Sequence, residues 1–137
     1  RSTNDGTSFS TIAANGVNGI TESGAWVTPY KLNPINPDTI YVGMRNIWRA
    51  FDAKSAAVNA VSFVQVSNFG GTSTIRDIGI ARSYTDVIYV SRNGGSNFYR
   101  TANGNAANPT WTDLESNLPA NGTPNDIEVH PTNPNKV

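Results

Sequence analysis

The chain has 137 residues, a formal net charge of zero, 15% charged residues and no cysteine. That length suffices for one domain with a sizeable core, while the composition excludes disulfides and thiolate metal sites and lacks the basic balance of a nucleic-acid binder. No apolar run approaches the ~18 residues that a membrane-spanning helix needs, and the wealth of Asn, Gly, Ser and Thr suits a secreted bacterial β-protein.

The opening stretch, Arg1-Ser2-Thr3-Asn4-Asp5-Gly6-Thr7-Ser8-Phe9, reads as a strand end, a tight polar turn and the start of a strand over Ser8–Ala13. Asn, Asp and Gly tolerate positive φ and bond their own backbone, and Phe9 supplies an apolar anchor. Trp26–Leu32 is the next strand-like run, followed by Thr39–Met44 with Ile, Tyr and Val in alternation. Ile47–Asp52 and Ser62–Ser67 come next, separated by Ala53–Ala60, a longer turn insertion with some helix tolerance. The same series returns as Thr74–Ala81, Val87–Arg92, Phe98–Ala102 and Thr110–Leu114, and Asn125–His130 begins it once more. Pro34, Pro37, Pro131 and Pro134 fall between strands, where a missing N–H harms no ladder.

These runs are repeats. Ile40, Ile88 and Val137 are equivalent, at a period of about 48–49 residues. Arg1-Ser2, Arg49-Ala50 and Arg100-Thr101 form a second ladder, and the aromatics Phe9, Phe63 and Trp111 a third. The polar turn between the last two varies: Asp52 holds the acidic slot in the second copy without a Gly, and Thr101-Ala-Asn103-Gly104 opens a longer third copy. A period of about 40–50 residues without helix signal points to propeller blades. The expected division is the outer half of a blade over 1–19, blades over 20–71 and 72–122, and the inner part of a blade over 123–137.

The turn pattern resembles the Asp-box, the Ser/Thr-x-Asp-x-Gly-x-Thr-Trp/Phe turn of sialidase-like (BNR-repeat) β-propellers, with Asn4 where Asp is usual. The resemblance spans the whole chain and extends to sortilin-type and xyloglucanase-type propellers. The phrase from Asn125 to Val137 looks most like repeats of large secreted Bacteroidota proteins, which often carry a type IX sorting domain. It implies an all-β fold of four-stranded antiparallel blades, present as a fragment with about two full blades and two partial ones. Propellers close with about 4–8 blades, so the chain is expected either to belong to a longer polypeptide or to assemble with copies of itself.

The residues give little sign of catalysis. Sialidases grip a carboxylate with an arginine triad, but Arg1, Arg49 and Arg100 occupy one repeat-equivalent position, which suits a structural part. With them, Ser2, Asn4, Gly6, Phe9, Asp52, Phe63, Thr101, Asn103 and Trp111 are read as repeat anchors. Glycoside hydrolysis needs two carboxylates flanking the bond. The inner-strand candidates are Glu22, Asp77, Asp126 and Glu128, none in a catalytic motif of the resembling families. His130, the one histidine, has no Cys or His companion for a transition metal. Asn4, Asp5, Asp52 and Asn103 offer hard oxygens in loops, where Ca²⁺ is the one conceivable cofactor and backbone capping the plainer use. Asn121-Gly-Thr123 is a glycosylation sequon. Trp26 and Tyr84 have no recurring equivalent and, with Arg76, are the candidates for a binding surface.

The expected function is therefore a non-catalytic recognition or scaffold module of a large secreted or cell-surface bacterial protein. Its expected partners are other blades, a glycan or protein ligand, or copies of itself, with no nucleic acid and no membrane insertion. The alternatives are a propeller glycoside hydrolase or sialidase whose catalytic residues lie outside this stretch, and a self-assembling subunit.

Overall fold

A computed structural model describes residues 1–94, 97–119, 122 and 124–137. Among them, β1 (Tyr30–Leu32), β2 (Ile40–Gly43), β3 (Ile47–Ala50) and β4 (Val64–Gln65) form one antiparallel sheet in that order. β5 (Ile75–Ile80), β6 (Ile88–Arg92), β7 (Phe98–Thr101) and β8 (Trp111–Asp113) form a second with the same topology. The remaining regular structure is two 3-10 turns, Val58–Ala60 and Glu115–Asn117, so the protein is all-β. No helix among the described residues is long and apolar enough to cross a membrane.

The two sheets share one register. Tyr41 stands opposite Arg49 in the first and Tyr89 opposite Arg100 in the second; Arg49 then faces Val64, and Arg100 faces Thr112. The opening segment carries the same relationship in miniature. The Arg1 amino group donates to the Ser10 carbonyl at 2.6 Å, and the Ser10 N–H returns a bond to the Arg1 carbonyl at 2.9 Å.

Strand periodicity then sets four layers. Ile40, Val42, Trp48 and Ala50 point one way, packing with Ile20, Val61 and Phe63 and against Ile12 and Ala13 of the opening segment. Tyr41 and Ile47 point the other way and join Val66 to Ile75, Ile78, Ile88 and Val90 of the second sheet. Val87, Tyr89 and Phe98 in turn pack on Ile127 near the end of the chain. Alternate residues of one strand thus enter different cores, which is why β2 and the Ile88–Val90 part of β6 are apolar on both faces and both strands are wholly buried.

The inner loops repeat three times. Asn33 N–H reaches Thr39 O at 2.9 Å, Ala81 N–H reaches Val87 O at 3.0 Å, and His130 N–H reaches Lys136 O at 2.8 Å. Inside each, a second bond closes the turn: Thr39 to Asn36, Val87 to Tyr84, and Lys136 to Asn133.

Some expected strands are shorter or missing. Trp26–Leu32 narrows to Tyr30–Leu32, because a turn in which the Thr28 hydroxyl donates to the Ala25 carbonyl occupies its first half. Ser8–Ala13 and the Arg1-Ser2 remnant form no ladder, since the Arg1–Ser10 exchange is a single pair of bonds. Asn125–His130 is extended without strand pairing; its Ile127 N–H goes to the Asp77 carboxylate at 2.8 Å rather than to a neighbouring backbone. Asn121 and Thr123 of the sequon lie outside the described residues.

Candidate functional site

The polar residues of the repeats converge where one layer meets the next. Arg49, buried on β3, donates to the carbonyls of Gly104 and, at 2.9 Å, Ala106 in the loop between β7 and β8. The Tyr41 hydroxyl donates to the same Gly104 carbonyl at 3.4 Å and to Asn105 Oδ1 at 3.0 Å. Arg1 repeats this one layer earlier, donating to Ala53 O at 2.7 Å and Ala56 O at 2.8 Å. One layer later Arg100 donates to the Asn135 side chain, and the Tyr89 hydroxyl to Pro134 O at 3.0 Å. Arg49 stacks over the Phe51 ring at 4.3 Å, and Arg100 lies 5.8 Å from that of Tyr89.

The receiving loops are braced by an aspartate. Asp38 accepts from Lys54 N–H at 2.6 Å and Ser55 N–H at 3.1 Å; Asp86 accepts from Asn105 N–H at 2.9 Å. The Ala53 and Gly104 amides bond the Asp38 and Asp86 carbonyls, which fixes Ala53 and Gly104 as equivalents. Contacts with the Ser55 hydroxyl and then the Lys54 and Ser55 backbone hold the Asp38 carboxyl below the usual carboxylate range. Burial pushes the Tyr41 hydroxyl up, and burial also lowers the Arg49 guanidinium from its ordinary value.

The turn oxygens have one shared duty. Asn4 Oδ1 accepts the Ser8 N–H at 3.0 Å, Asp52 Oδ1 the Ser62 N–H at 3.3 Å, and Asn103 Oδ1 the Thr110 N–H at 2.9 Å. In each case the donor immediately precedes the repeat aromatic. Ser2 and Thr101 hydroxyls bond Asn4 and Asn103, while Asp5 at φ 52° and Gly6 at φ 84° make the tight first turn. The aromatics part company: Phe63 is buried, Trp111 is half-buried with its indole N–H on Val66 O at 2.8 Å, and Phe9 is 78% exposed. Phe9 is thus no core anchor here. It lies on the rim of an open groove.

That groove, about 610 Å³, runs between the opening segment and the first sheet, with Phe9, Ile12, Tyr30, Leu32, Ile40 and Val42 among its walls and Arg1 at its end. It is mainly apolar.

The candidate carboxylates do not gather. Asp77 holds Ile127, Asp126 and Glu128 are exposed, and Glu22 is buried elsewhere. Glu22 accepts from Trp48 Nε1 at 2.7 Å and Asn46 N–H at 2.8 Å, and pairs with Arg45 at 3.3 Å, closing the β2–β3 turn. Among the described residues no cluster of three or more His, Asp or Glu could hold a metal ion. His130 Nδ1 faces the Thr132 N–H at 3.3 Å, as Asn33 Oδ1 faces that of Ile35.

Trp26 is fully exposed and Tyr84 half-exposed, but they occupy opposite ends of the sheets, before β1 and after β5. Arg76 is the extra residue of a β-bulge between Ile75 and Asp77, exposed and 3.3 Å from Asn93 Oδ1, at the same end as Trp26. Sequence reasoning missed Tyr41, Tyr89, Asp38 and Asp86 as working residues. Their signal was present in the recurring Ile-Tyr-Val and in the aspartate two residues before each Ile. No protein-family model, curated protein or solved structure matches the chain.

Proposed function

We propose that the two sheets are consecutive blades of an Asp-box-type β-propeller segment, serving as a non-catalytic recognition or scaffold module of a large secreted or cell-surface bacterial protein. The observation that carries this reading is the three equivalent arginines, each of which reaches from its own layer into a loop of the next. A group that recurs in every layer and is engaged in holding layers together is scaffold, since a catalytic group need occur only once. The placement of Asp77 and Glu22 supports the same view, because both carboxylates are occupied by N–H donors inside the fold.

Recognition then falls to the residues that do not repeat. Trp26, fully exposed beside an exposed Val27, presents a flat apolar ring of the kind that stacks on sugar. Arg76 at the same end adds a charged hydrogen-bond donor. Glycan arrays probed with the wild type and with Trp26→Ala test this. The expected outcome is binding without turnover, lost in Trp26→Ala while the unfolding midpoint stays unchanged. Release of sugar from sialosides or β-glucans, abolished by Asp77→Asn, would contradict it.

A further inference from the structure

A cleft of about 450 Å³ opens between the outer edges of the two sheets. Gln65, Ser67 and Asn68 line it from the first sheet, and Asn108, Pro109 and Trp111 from the second. Its size lies within the ~300–1,000 Å³ range of small-ligand sites. Its walls carry side-chain amides, a hydroxyl and one indole, and no charge. β4 and β1 are opposite edges of the first sheet, so the cleft lies across the sheet from Trp26.

The walls are held in place from behind. The Trp111 indole N–H donates to Val66 O at 2.8 Å, and the Phe69 ring meets the indole edge-on at 5.2 Å. Asn46 Oδ1 accepts from the Ser67 hydroxyl at 3.4 Å and from the Phe69 N–H at 2.9 Å, which fixes Asn68 between them. Gln65 Nε2 donates to Ser67 O at 2.6 Å, so its carboxamide is aligned while its own oxygen stays unused. On the other wall Asn103 Oδ1 takes the Thr110 N–H at 2.9 Å, directly after Pro109. Asn68 and Asn108 are exposed, and their carboxamides have no hydrogen-bond partner among the described residues.

One layer earlier the chain fills the corresponding place itself. Ile12 is the equivalent of Val66, and Phe63 that of Trp111. There the Asn18 amide donates to Ile12 O at 3.0 Å and Val58 O at 2.9 Å, while Asn18 O accepts the Phe63 N–H at 2.8 Å. In the second sheet the comparable segment is drawn away, because Arg92 holds the carbonyls of Phe69, Gly70 and Ser73.

We infer that the cleft binds an uncharged sugar. One ring packs against Trp111 and Pro109, and its hydroxyls are held by Asn68, Asn108 and the Gln65 oxygen. A carboxamide sets an acceptor oxygen beside an NH₂ donor, which matches neighbouring sugar hydroxyls, each both donor and acceptor. An indole covers the C–H face of the ring. Walls without charge disfavour uronic or sulfated sugars, whose charge would be desolvated without a partner. This site is additional to the surface at Trp26 and does not depend on it.

The test is an NMR titration of the isotope-labelled chain with cellobiose, maltose, mannobiose and galactobiose, and with glucuronate as the charged counterpart. The expected result is saturable shifts of the Trp111 indole and the Asn68 and Asn108 side-chain amides with at least one disaccharide, and none with glucuronate. Asn108→Ala, at an exposed position, should weaken that binding about tenfold, the worth of its hydrogen bonds to the ring, with the unfolding midpoint unchanged. No saturable shift at these residues with any of the disaccharides at high millimolar concentration would overturn the inference. So would binding of equal strength in the double variant Asn68→Ala/Asn108→Ala, or equal binding of glucuronate. The indole signals of Trp26 and Trp111 report separately, so failure of the reading at Trp26 shows as an unmoved Trp26 signal and leaves this result as it is.

Discussion

Tyr41 and Arg49 stand opposite each other across β2 and β3 and converge on one acceptor, the carbonyl of Gly104 in the second sheet. A cross-strand pair thereby becomes a tie between sheets. Its strength comes from burial: Arg49 is only 4% exposed and Tyr41 fully buried, so their hydrogen bonds do not compete with solvent. The guanidinium reaches two carbonyls of one loop, which a lysine ammonium on a flexible stem would meet less rigidly.

Removing the pair should reveal its coupling. Tyr41→Phe is expected to cost about 1 kcal/mol, the value of a lost neutral hydrogen bond. Arg49→Ala should cost about 3 kcal/mol, because the buried Gly104 carbonyl and the half-buried Ala106 carbonyl lose a charged donor. Urea unfolding of both singles and the double variant should show non-additivity of about 1 kcal/mol, since the two residues share the Gly104 acceptor.

Stability should fall at both ends of the pH scale, for different reasons. The Asp38 carboxyl is held below its ordinary value by the Ser55 side chain and the Lys54 and Ser55 backbone. Its contribution is therefore present above the unfolded carboxylate value and is lost as pH falls through the folded one, below about pH 4. Burial raises the Tyr41 value, so its contribution is present below about pH 10 and is lost as pH rises through the folded value and the hydroxyl ceases to donate. Unfolding midpoints across pH check both limbs. Asp38→Asn should flatten the acid limb, and Tyr41→Phe the alkaline one.

The turn oxygens make a sharper chemical test. Asn103 Oδ1 accepts from the Thr110 backbone and the Thr101 hydroxyl. Asn103→Asp keeps the acceptor and should be close to neutral, whereas Asn103→Ala should cost about 1 kcal/mol. Thermal unfolding of the two variants separates the role of the oxygen from that of the side-chain volume.

Close approach between the sheets predicts a further sensitivity at Gly43. A Cβ built there would lie 2.6 Å from Ile75 Cγ2, a core atom of the second sheet with no room to move aside. Gly43→Ala should destabilise by about 1–3 kcal/mol through overpacking. Combining it with Ile75→Val, which removes only Cδ1 and leaves Cγ2 and Cβ in place, should recover little of that loss in the same unfolding measurement.

The strands were legible where alternation was strong. Ile40-Tyr41-Val42 and Ile88-Tyr89-Val90 announce central strands, and both sheets formed at the expected places. The equivalence of Arg1, Arg49 and Arg100 was also legible, because it needs only the period. What these arginines hold was not, since Arg1 and Arg49 donate to backbone carbonyls of a loop more than fifty residues away, which leave no mark in a sequence, and Arg100 to the Asn135 side chain. Phe9 misled for a related reason. Its slot is that of Phe63 and Trp111, but burial depends on the neighbouring layer and not on the slot itself. Trp26 and Tyr84, read as candidates for a binding surface, are both exposed, while their separation to opposite ends follows from strand direction, which single residues do not reveal.

The most direct test of the stacked-repeat arrangement is native-state hydrogen exchange of the Val42 and Val90 amides, in β2 and β6, for the wild type and Arg49→Ala. If the tie joins the two sheets into one cooperative unit, both amides should open together in the wild type and lose comparable protection in the variant. Loss of protection at Val42 with Val90 unchanged would mean that the sheets stand independently, and would contradict the coupling of layers through Tyr41 and Arg49.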